Sequence, residues 1–398
     1  MTVYIKPSKA QGSISAPPSK SLSHRAIICA ALSRGANISN ITLSQDINAT
    51  IGALKALGAN AVISDSSVSI GGLSADSVKP ANIDVNESGS TLRFLIPIAL
   101  IGGNKTVFTG SNRLFSRDLS VYEEIAKEQG IKFVKQENSL LVCGKLKSGE
   151  FSIRGDISSQ FVSGLMFALP LLEGDSFIKF ITPIESKPYI DMTVEVLSRF
   201  GIIVEYKNGG YFIKGNQKYK ACDYKVEGDF SNAVFLDAFN LLGGNVIVDG
   251  LNGDTSQGDS IYREFFKTIK SGGVYDLSDC PDLAPVLFAL SAHFSGAHFK
   301  GTKRLKIKES DRAVAMSEEL LKFGAEMIVG VNAVTVKKSE LHIPDLPLNS
   351  HNDHRIVMAL SILASAYGGQ IDGAEAVNKS YPDFFSDIKK LGIEVEIK

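Results

Sequence analysis

The sequence predicts an α/β protein of two domains, and its length and one recurring pattern support this. A chain of 398 residues is too long for one small core, because a domain takes roughly 100 to 200 residues. Hydrophobic residues make up 44% of the chain and charged residues 21%, as in an ordinary soluble globular protein. Six times along the chain, an amphipathic helix ends at a glycine and a strand rich in β-branched residues follows. Six such units favour two domains with three units each.

The helix-glycine-strand units recur at spacings of roughly 50 to 72 residues, longer than the repeats of about 20 to 50 residues in solenoids. Glycine is expected at each helix end because the terminal residue takes a positive φ that glycine adopts at least cost. The same arrangement also arises by coincidence in α/β proteins. In order, the helix ends and strands are residues 53–58 and 61–63, 125–130 and 131–134, 196–201 and 202–204, 265–273 and 274, 320–324 and 327–329, and 388–392 and 393–395.

The charge balance excludes a protein that holds nucleic acid or an anionic membrane through its overall field. Lysine and arginine together number 42, and aspartate and glutamate 43, which gives a net charge of -1. The first residues lack the basic and apolar regions of a signal peptide. The longest apolar stretches, 94–101 and 161–172, are shorter than the roughly 20 residues of a membrane helix. We therefore expect a cytoplasmic protein whose anion-binding sites are local.

No metal or cofactor site is predicted. The four cysteines, Cys29, Cys143, Cys222 and Cys280, lie far apart, without a Cys-x-x-Cys pair or a histidine at zinc-ligand spacing. We expect them to be reduced thiols in the core, where free cysteines usually lie. His351, Asp353 and His354 could ligate a metal, but no further cluster completes such a site.

The first segment that carries chemistry is residues 17–25, Pro-Pro-Ser-Lys-Ser-Leu-Ser-His-Arg, before an apolar helix predicted at 26–32. Backbone N–H groups at a helix start, the hydroxyl of Ser21 and the charges of Lys20 and Arg25 together suit a phosphate or carboxylate. The segment is not a Walker loop, because that motif requires glycine where Ser19 and Ile14 stand. A capped helix with solvated basic side chains would have the same sequence.

Further segment starts repeat these residue types. Residues 87–93, which include Gly89, and 158–161, which include Ser158, Ser159 and Gln160, each open a long apolar helix. Serine at a helix start is also an ordinary N-cap, so each segment alone is ambiguous. The recurrence of such groups favours an anion-binding site. Basic or hydroxyl groups stand at further segment ends, at Arg117, Ser186, Tyr189, Lys308, Arg312, Arg355 and Lys379.

Two acidic residues could carry proton chemistry. Asp282 precedes an apolar helix predicted at 283–292, and Glu309 lies in a basic run with Lys308 and Arg312. Taken alone, an aspartate at a helix start is usually a cap, and a glutamate in a basic run is usually a solvated ion pair. Both interpretations stay open on these residues alone.

Taken together, the segments resemble the family of 5-enolpyruvylshikimate-3-phosphate synthases, in order and spacing along essentially the whole chain. One motif would be a weak indication, but eight motifs in family order are specific. They are Ser-Lys-Ser-x-Ser-x-Arg at 19–25, Ser-Gly-Ser-Thr-x-Arg at 88–93, Ser-Ser-Gln-Phe at 158–161, Ser-Lys-Pro-Tyr at 186–189, Pro-Asp at 281–282, Lys-Glu-Ser-Asp-Arg at 308–312, Asn-Asp-His-Arg at 352–355 and Lys-x-x-Pro-Asp-Phe at 379–384.

The resemblance implies an enolpyruvyl-transferase fold of two domains, each built from three βαβαββ units. One domain would hold residues 1–17 and 228–398, and the other residues 18–227. The active site would lie in the cleft between them, and its two sides would face each other only after closure. Lys20, Arg117 and Ser158 would come from one side, and Asp282, Glu309, Arg312 and Arg355 from the other.

The resemblance also implies a reaction. The family transfers the enolpyruvyl group of phosphoenolpyruvate to the 5-hydroxyl of shikimate 3-phosphate, through a tetrahedral intermediate that then loses phosphate. This is a step of the shikimate pathway to chorismate and the aromatic amino acids, and the herbicide glyphosate competes for the phosphoenolpyruvate pocket. It implies small-molecule substrates, no cofactor and no metal, and we expect a monomer.

By the same resemblance, Lys20, Asp282 and Glu309 are catalytic, and the division of proton transfers among them stays open. Binding of shikimate 3-phosphate would fall to Lys20, Ser21, Arg25, Ser158, Ser159, Gln160, Ser186, Tyr189, Asp282 and Lys308. Binding of phosphoenolpyruvate would fall to Lys20, Gly89, Arg117, Gln160, Arg312, Arg355 and Lys379. Two positions depart from a frequent family pattern, because Glu87 and Arg304 stand where many members have asparagine.

Two other functions compete with this interpretation. An enolpyruvyl transferase that acts on UDP-N-acetylglucosamine would share the fold and the phosphoenolpyruvate chemistry. That family usually carries a reactive cysteine in the loop that here spans 109–119, and this loop contains none. A non-catalytic anion-binding protein would use the basic residues and hydroxyls, but it would not need Asp282 and Glu309 at their family positions.

Overall fold

The computed structural model describes residues 1–398, and its internal contacts divide the chain into two compact units. We name them the split unit, Met1–Pro17 with Gly228–Lys398, and the continuous unit, Pro18–Glu227. Helices and strands alternate along both units, so the predicted α/β class is confirmed. None of the helices is both long and apolar enough to span a bilayer.

The strands are short and recur along the whole chain. In chain order they are β1 (Thr2–Ile5), β2 (Gln11–Ser15), β3 (Ala36–Ser39), β4 (Asn60–Ser64), β5 (Ser67–Gly71), β6 (Ala81–Asp84), β7 (Thr106–Thr109), β8 (Lys132–Lys135), β9 (Ser139–Cys143), β10 (Glu150–Ile153), β11 (Ser176–Phe180), β12 (Val204–Lys207), β13 (Gly210–Ile213), β14 (Tyr224–Lys225), β15 (Asn245–Asp249), β16 (Val274–Asp276), β17 (Ala297–Lys300), β18 (Met327–Val329), β19 (Ala333–Val336), β20 (Leu348–Asn349), β21 (Gly369–Asp372) and β22 (Val395–Ile397).

The helices are α1 (Lys20–Ala31), α2 (Gln45–Leu57), α3 (Gly89–Ala99), α4 (Asn112–Ser116), α5 (Ser120–Gln129), α6 (Ser159–Ala168), α7 (Lys187–Arg199), α8 (Phe230–Leu241), α9 (Tyr262–Thr268), α10 (Ala284–His293), α11 (Arg312–Leu321), α12 (His354–Tyr367) and α13 (Phe384–Lys390). Short 3-10 turns join some of them, among them Pro281–Leu283 before α10 and Lys303–Ile307 before α11.

One sheet pattern repeats in both units. The continuous unit holds the sheets β14-β3-β5-β4, β6-β7-β9-β8 and β10-β11-β13-β12. The split unit holds β16-β17-β19-β18, β20-β21-β1-β22 and the two-stranded β15-β2. In each four-stranded sheet the first pair is parallel and the next two pairs are antiparallel. In chain order β6, α3, β7, α5, β8 and β9 thus form a βαβαββ unit, as predicted.

Glycine ends most of the predicted helices, with one shift in position. Gly130 closes α5 in the left-handed region, at φ 70°. In the fourth unit, however, α9 ends at Thr268, a 3-10 turn follows, and the residue with positive φ is Gly272 rather than Gly273. The strand predicted at 202–204 begins only at Val204, because Ile202 is buried in the connection that precedes it.

The core of each unit consists of helices that are apolar on all sides, as helices surrounded by protein are. In the continuous unit α3 packs against α6, and α6 packs against α7. In the split unit α8, α10 and α12 pack against one another, and every residue of α10 from Ala284 to Ala292 is buried. Apart from α7, which has an exposed polar face, these helices have mainly their ends available for binding, and several of their N-terminal ends carry predicted site residues.

The prediction of core thiols is right for two cysteines and wrong for two. All four are free, and Cys29 in α1 and Cys280 are buried. Cys143 and Cys222 are only half-buried. Cys143 is the last residue of strand β9, and Cys222 lies in the connection before β14, where it packs against the edge of the core.

Candidate active site

In the continuous unit, Lys20 lies at the N-terminus of a buried helix and pairs with an acid. Helix α1 begins at Lys20, earlier than predicted, because the Ser19 hydroxyl caps it by accepting from the Leu22 N–H. The Lys20 Nζ lies 2.8 Å from Oδ2 of Asp46, in the first turn of α2. The Lys20 side chain is 15% exposed, so the ammonium is held close to the surface and can reach a ligand.

Arg25, one turn further along α1, is a buried cation whose hydrogen bonds go to neutral oxygens. Its Nε donates to Oγ1 of Thr193, its Nη1 to the Ser21 carbonyl and its Nη2 to the Tyr189 carbonyl, each at 2.8 Å. Burial lowers the pKa of Arg25 to about 10, which leaves it charged at neutral pH. Because a buried charge is costly without an opposite charge, this guanidinium would gain from a bound anion.

A third group surrounds Gly89, the first residue of α3. A Cβ at Gly89 would lie 2.7 Å from Nη1 of Arg117 and 3.0 Å from Nη1 of Arg93. Arg93 Nη1 donates to Oε1 of Gln160 at 3.0 Å, and Gln160 Nε2 donates to the Ser90 hydroxyl at 2.9 Å. Glycine at this position therefore leaves room for two guanidinium groups of the protein itself.

The remaining predicted residues of the continuous unit lie at the starts of α6 and α7. Ser158 caps α6 by accepting from the Gln160 N–H at 3.3 Å, and Ser159 is buried. Ser186, which precedes α7, is buried and has a φ of 54°, a left-handed conformation that is costly for a residue with a Cβ. Tyr189 is half-buried in the first turn of α7.

In the split unit, one carboxylate gathers three cations. Oδ1 of Asp282 lies 2.7 Å from Arg312 Nη1 and 3.0 Å from Lys308 Nζ, and its Oδ2 lies 2.9 Å from Arg355 Nη2. Burial alone would raise the pKa of Asp282, but Arg355, Lys308 and Arg312 hold it well below its usual range. Asp282 is thus an anion at neutral pH, and it does not act as a helix cap.

Arg312 is the buried centre of the same group. Its side chain is 1% exposed, and its Nη2 lies 2.7 Å from Glu309 Oε2. Its Nε lies 2.8 Å from Oδ2 of Asp353, which also accepts from the Ser310 hydroxyl at 3.1 Å. Glu309, predicted as a catalytic residue, is therefore an ion-pair partner of Arg312, and with a side chain 24% exposed it also reaches the surface.

A second buried carboxylate, that of Asp259, is connected to Arg355 through Ser231. Arg355 Nη1 donates to the Ser231 carbonyl at 2.8 Å, and the Ser231 hydroxyl donates to Asp259. Burial and the negative charge of Asp282 raise the pKa of Asp259 to about 6, although Arg355 opposes this. Arg355 therefore contacts Asp282 directly and Asp259 through Ser231. The pKa of Asp259 is raised, whereas the pKa of Asp282 is lowered.

Lys379 lies at the end of a 3-10 turn and contacts the loop before α12. Its Nζ donates to the Asn352 carbonyl at 2.6 Å. Asn352 directly precedes Asp353, which caps α12 by accepting from the Arg355 N–H at 3.0 Å. The Asn-Asp-His-Arg segment therefore contacts Lys379 through a backbone carbonyl and Arg312 through a carboxylate.

Sequence reasoning missed several residues of these groups. Arg93 and Asp353 lie inside the quoted motifs, so both could have been predicted as site residues from the motifs alone. Asp46 and Asp259 stand outside every motif, and no local pattern indicates that they contact Lys20 or Ser231. Arg304 is buried and donates to the Ser278 carbonyl at 2.6 Å, so it braces the segment that leads to Asp282.

The interpretation of His351, Asp353 and His354 as metal ligands is not supported by their contacts. Asp353 accepts from Arg312, and His351 Nε2 lies 2.9 Å from Oε1 of Glu319. Glu318, Glu319 and His351 come close enough together for a cation, but Lys322 Nζ already contacts both oxygens of Glu319, at 3.0 and 2.8 Å.

Comparisons with known proteins identify the family. The family model of EPSP synthase (3-phosphoshikimate 1-carboxyvinyltransferase) matches residues 5–388. A 3-phosphoshikimate 1-carboxyvinyltransferase of Clostridium kluyveri is 43% identical over 99% of this chain and 98% of its own. The enzyme of the same name from Clostridium acetobutylicum is 44% identical, with the same coverage of both chains.

A solved structure shares the fold. The EPSP synthase of Acinetobacter baumannii superposes with a TM-score of 0.81 at 20% sequence identity, over 100% of this chain and 99% of that chain. This likeness over the full length of both chains confirms the fold.

Proposed function

The chain belongs to the EPSP synthase family, and we propose that the two groups of side chains described above carry out the family's reaction. In this reaction the enolpyruvyl group of phosphoenolpyruvate is transferred to the 5-hydroxyl of shikimate 3-phosphate, and phosphate is released. The identity of over 40% to relatives named for this activity favours it over transfer to UDP-N-acetylglucosamine and over a non-catalytic anion-binding protein.

The observation that carries the proposal is the number of cations in the first turns of the helices and in the loops and 3-10 turns beside them. Two phosphates, at roughly -1.5 to -2 each, and two carboxylates give the substrate pair a charge of about -5 to -6. Lys20, Arg25, Arg93 and Arg117 gather in the continuous unit, and Lys308, Arg312, Arg355 and Lys379 in the split unit. Helix N-termini add their own affinity for anions. The cationic side chains and the helix N-termini together support binding of a polyanionic substrate pair.

We assign phosphoenolpyruvate to the arginine-rich groups. Arg312 and Arg355 present planar guanidinium groups, which bind a carboxylate through paired hydrogen bonds. Lys379, Lys20 and Arg117 would bind its phosphate, with Gly89 and Gln160 beside them. Asp282 forms ion pairs with both Arg312 and Arg355. The substrate carboxylate would therefore share these two cations with Asp282.

We assign shikimate 3-phosphate mainly to the continuous unit. The charge of Arg25, buried among neutral oxygens, supports a role on the carboxylate of this substrate with Ser21 beside it. The hydroxyls at the starts of α6 and α7 would bind its phosphate and ring hydroxyls. They are Ser158, Ser159, Ser186 and Tyr189, with Gln160, and Lys20, Asp282 and Lys308 complete the set.

The reaction needs three proton transfers. The 5-hydroxyl oxygen forms a bond to C2 of phosphoenolpyruvate and loses its proton, while C3 gains a proton and becomes a methyl group. In the second step the methyl group loses a proton and the bond from C2 to the phosphate oxygen breaks. Asp282, as an anion, would hold the 5-hydroxyl or accept its proton, and Glu309 and Lys20 would exchange protons at C3 and at the departing phosphate.

We further propose that the enzyme works in the cytoplasm and as a single chain. The free state of all four cysteines supports a reducing compartment. Light scattering at assay concentration would test the monomer.

The deciding experiment follows phosphate release when the protein is given phosphoenolpyruvate with shikimate 3-phosphate. We expect release that depends on both substrates and stays unchanged on treatment with a metal chelator. Phosphoenolpyruvate with UDP-N-acetylglucosamine should release none. Phosphate release from that pair alone, or from neither pair, would overturn the proposal.

A further inference from the structure

The turn before α12 is held in a strained conformation. His351 and Asn352 have φ angles of 48° and 53°, so two consecutive residues with a Cβ adopt the left-handed region. Such residues persist only where surrounding contacts impose the conformation, and they concentrate at functional sites. The turn leads directly into Asp353 and α12.

This turn positions two anion-binding side chains. The carbonyl of Asn352 accepts from Lys379 Nζ at 2.6 Å, and its orientation follows from the backbone angles of the turn. Asp353, the next residue, binds Nε of Arg312 at 2.8 Å. A relaxed turn would move both acceptors, and Lys379 and Arg312 would move with them.

Glu319, in α11, clamps the turn from both sides. Its Oε2 accepts from the Asn349 N–H at 2.8 Å, and its Oε1 lies 2.9 Å from Nε2 of His351. Lys322 Nζ lies 3.0 and 2.8 Å from the two oxygens, so each oxygen has two partners. The residue is 1% exposed, and an acid is rarely buried so deeply unless it is paired.

The charge of Glu319 is secured by the same contacts. Burial would raise the pKa of Glu319, but hydrogen bonds from His351, Lys322 and the Asn349 N–H lower it below its usual range. Glu319 is therefore an anion at neutral pH, and both of its oxygens accept, as the clamp requires.

From these contacts we propose that Glu319 is a positioning residue for phosphoenolpyruvate binding: it holds the 349–352 turn, and through it Lys379 and Arg312. The inference rests on the proposed function, which assigns phosphoenolpyruvate to these two cations. Glu319 itself touches no substrate.

The test is Glu319→Gln, with Glu318→Gln as the matched control. Glutamine offers one acceptor oxygen and a donor NH2 group, so one of the two bonds to the turn is lost. Glu318 is adjacent in sequence, but its side chain is 59% exposed and lies 3.8 Å from His351. We expect Glu319→Gln to raise the KM for phosphoenolpyruvate about fivefold or more, which is a larger factor than its effect on kcat or on the KM for shikimate 3-phosphate. Glu318→Gln should leave all three unchanged.

A rescue experiment distinguishes positioning from general stability. Asn352→Gly removes the side-chain cost of the left-handed conformation and keeps the carbonyl that Lys379 contacts. In this background Glu319→Gln should raise the KM for phosphoenolpyruvate by a smaller factor than in the wild type. An equal factor in both backgrounds would overturn the role of the strained turn.

Two results would overturn the proposal as a whole. One is an unchanged KM for phosphoenolpyruvate in folded Glu319→Gln. The other is a fall in kcat with an equal rise in both KM values, as expected from a general distortion of the protein. If Glu319→Gln does not fold, His351→Ala decides, because it removes one clamp bond and should raise only the KM for phosphoenolpyruvate. Wild-type protein without turnover would instead contradict the proposed function.

Discussion

At the scale of single residues, the proposed active-site groups depend on positions where a change of size or charge would disturb neighbouring cations. Gly89 leaves the space that the guanidinium groups of Arg117 and Arg93 occupy, and Arg25 holds a buried charge among neutral oxygens. The special role of Gly89 could be predicted from its place at a helix start. The side chains that require glycine at this position could not be predicted, because Arg117 comes from the loop after α4, far along the chain.

Gly89→Ala should weaken phosphoenolpyruvate binding by displacing Arg117. The added Cβ would lie 2.7 Å from Nη1 of Arg117, which forces the guanidinium to shift. We expect a several-fold rise in the KM for phosphoenolpyruvate and a larger rise in the inhibition constant of glyphosate, which is the longer molecule.

Gly52→Ala is the control for this variant, because a Cβ at Gly52 in α2 would meet nothing within 4 Å. It should leave the kinetics unchanged and stabilise the helix by up to about 1 kcal/mol. Equal kinetic effects of Gly89→Ala and Gly52→Ala would show that phosphoenolpyruvate binding does not depend on the space at Gly89.

At the scale of elements, the buried helices bring their N-terminal residues together, and hydrogen bonds between distant segments complete each group. The helix at 284–293 agrees closely with the one predicted at 283–292, because an apolar run after a polar start is a strong signal, whereas the helix predicted at 26–32 begins six residues earlier, at Lys20. Contacts such as Asp353 with Arg312, or Asp46 with Lys20, join residues 41 and 26 positions apart. No periodicity in the sequence encodes such pairs, so the inner partners of the cations were not predicted.

Asp259→Asn should change the pH dependence of stability in a defined direction. Because the folded state raises the pKa of Asp259 from 3.8 to about 6, ionisation opposes folding, and this cost appears as pH rises from about 4 to 6. The free energy of unfolding of the variant, relative to wild type, should therefore rise over this window, by up to about 3 kcal/mol, and stay level above it.

Urea unfolding at a series of pH values measures this difference. Asp279→Asn is a suitable control, because it makes the same substitution at an aspartate that is exposed at the surface. A difference between Asp259→Asn and wild type that is constant from pH 4 to 7 would contradict the account of a raised pKa.

At the scale of the whole molecule, five four-stranded sheets and the two-stranded β15-β2 lie in two compact units, and the glycine-punctuated pattern predicts such a repeated organisation. The pairings that close the split unit could not be predicted, because β1 pairs with β21 and β22 at the far end of the chain. The overall charge is nearly balanced, at -1, although each unit concentrates cations at its helix starts. Binding of anions is therefore a property of these groups rather than of the molecule as a whole.

Added salt should weaken the binding of both substrates more than it slows turnover. Screening shortens the reach of the cationic groups to about 3 Å at 1 M salt, compared with about 10 Å at 0.1 M. We expect the KM for each substrate to rise several-fold as potassium chloride is raised from low to high concentration, and kcat to change less. KM values that do not depend on salt would contradict charge-driven binding.

The central claim is that the group around Lys20 and the group around Asp282 serve one reaction. The most direct measurement is kcat for phosphate release by Lys20→Ala and by Asp282→Ala, each at saturating concentrations of both substrates, with circular dichroism to confirm folding. The account predicts that each variant loses at least about 100-fold in kcat, within the range of a lost proton-transfer group, and that Asp282→Ala changes kcat far more than either KM. If either folded variant keeps wild-type kcat, its group does not take part in the chemistry and the claim is wrong.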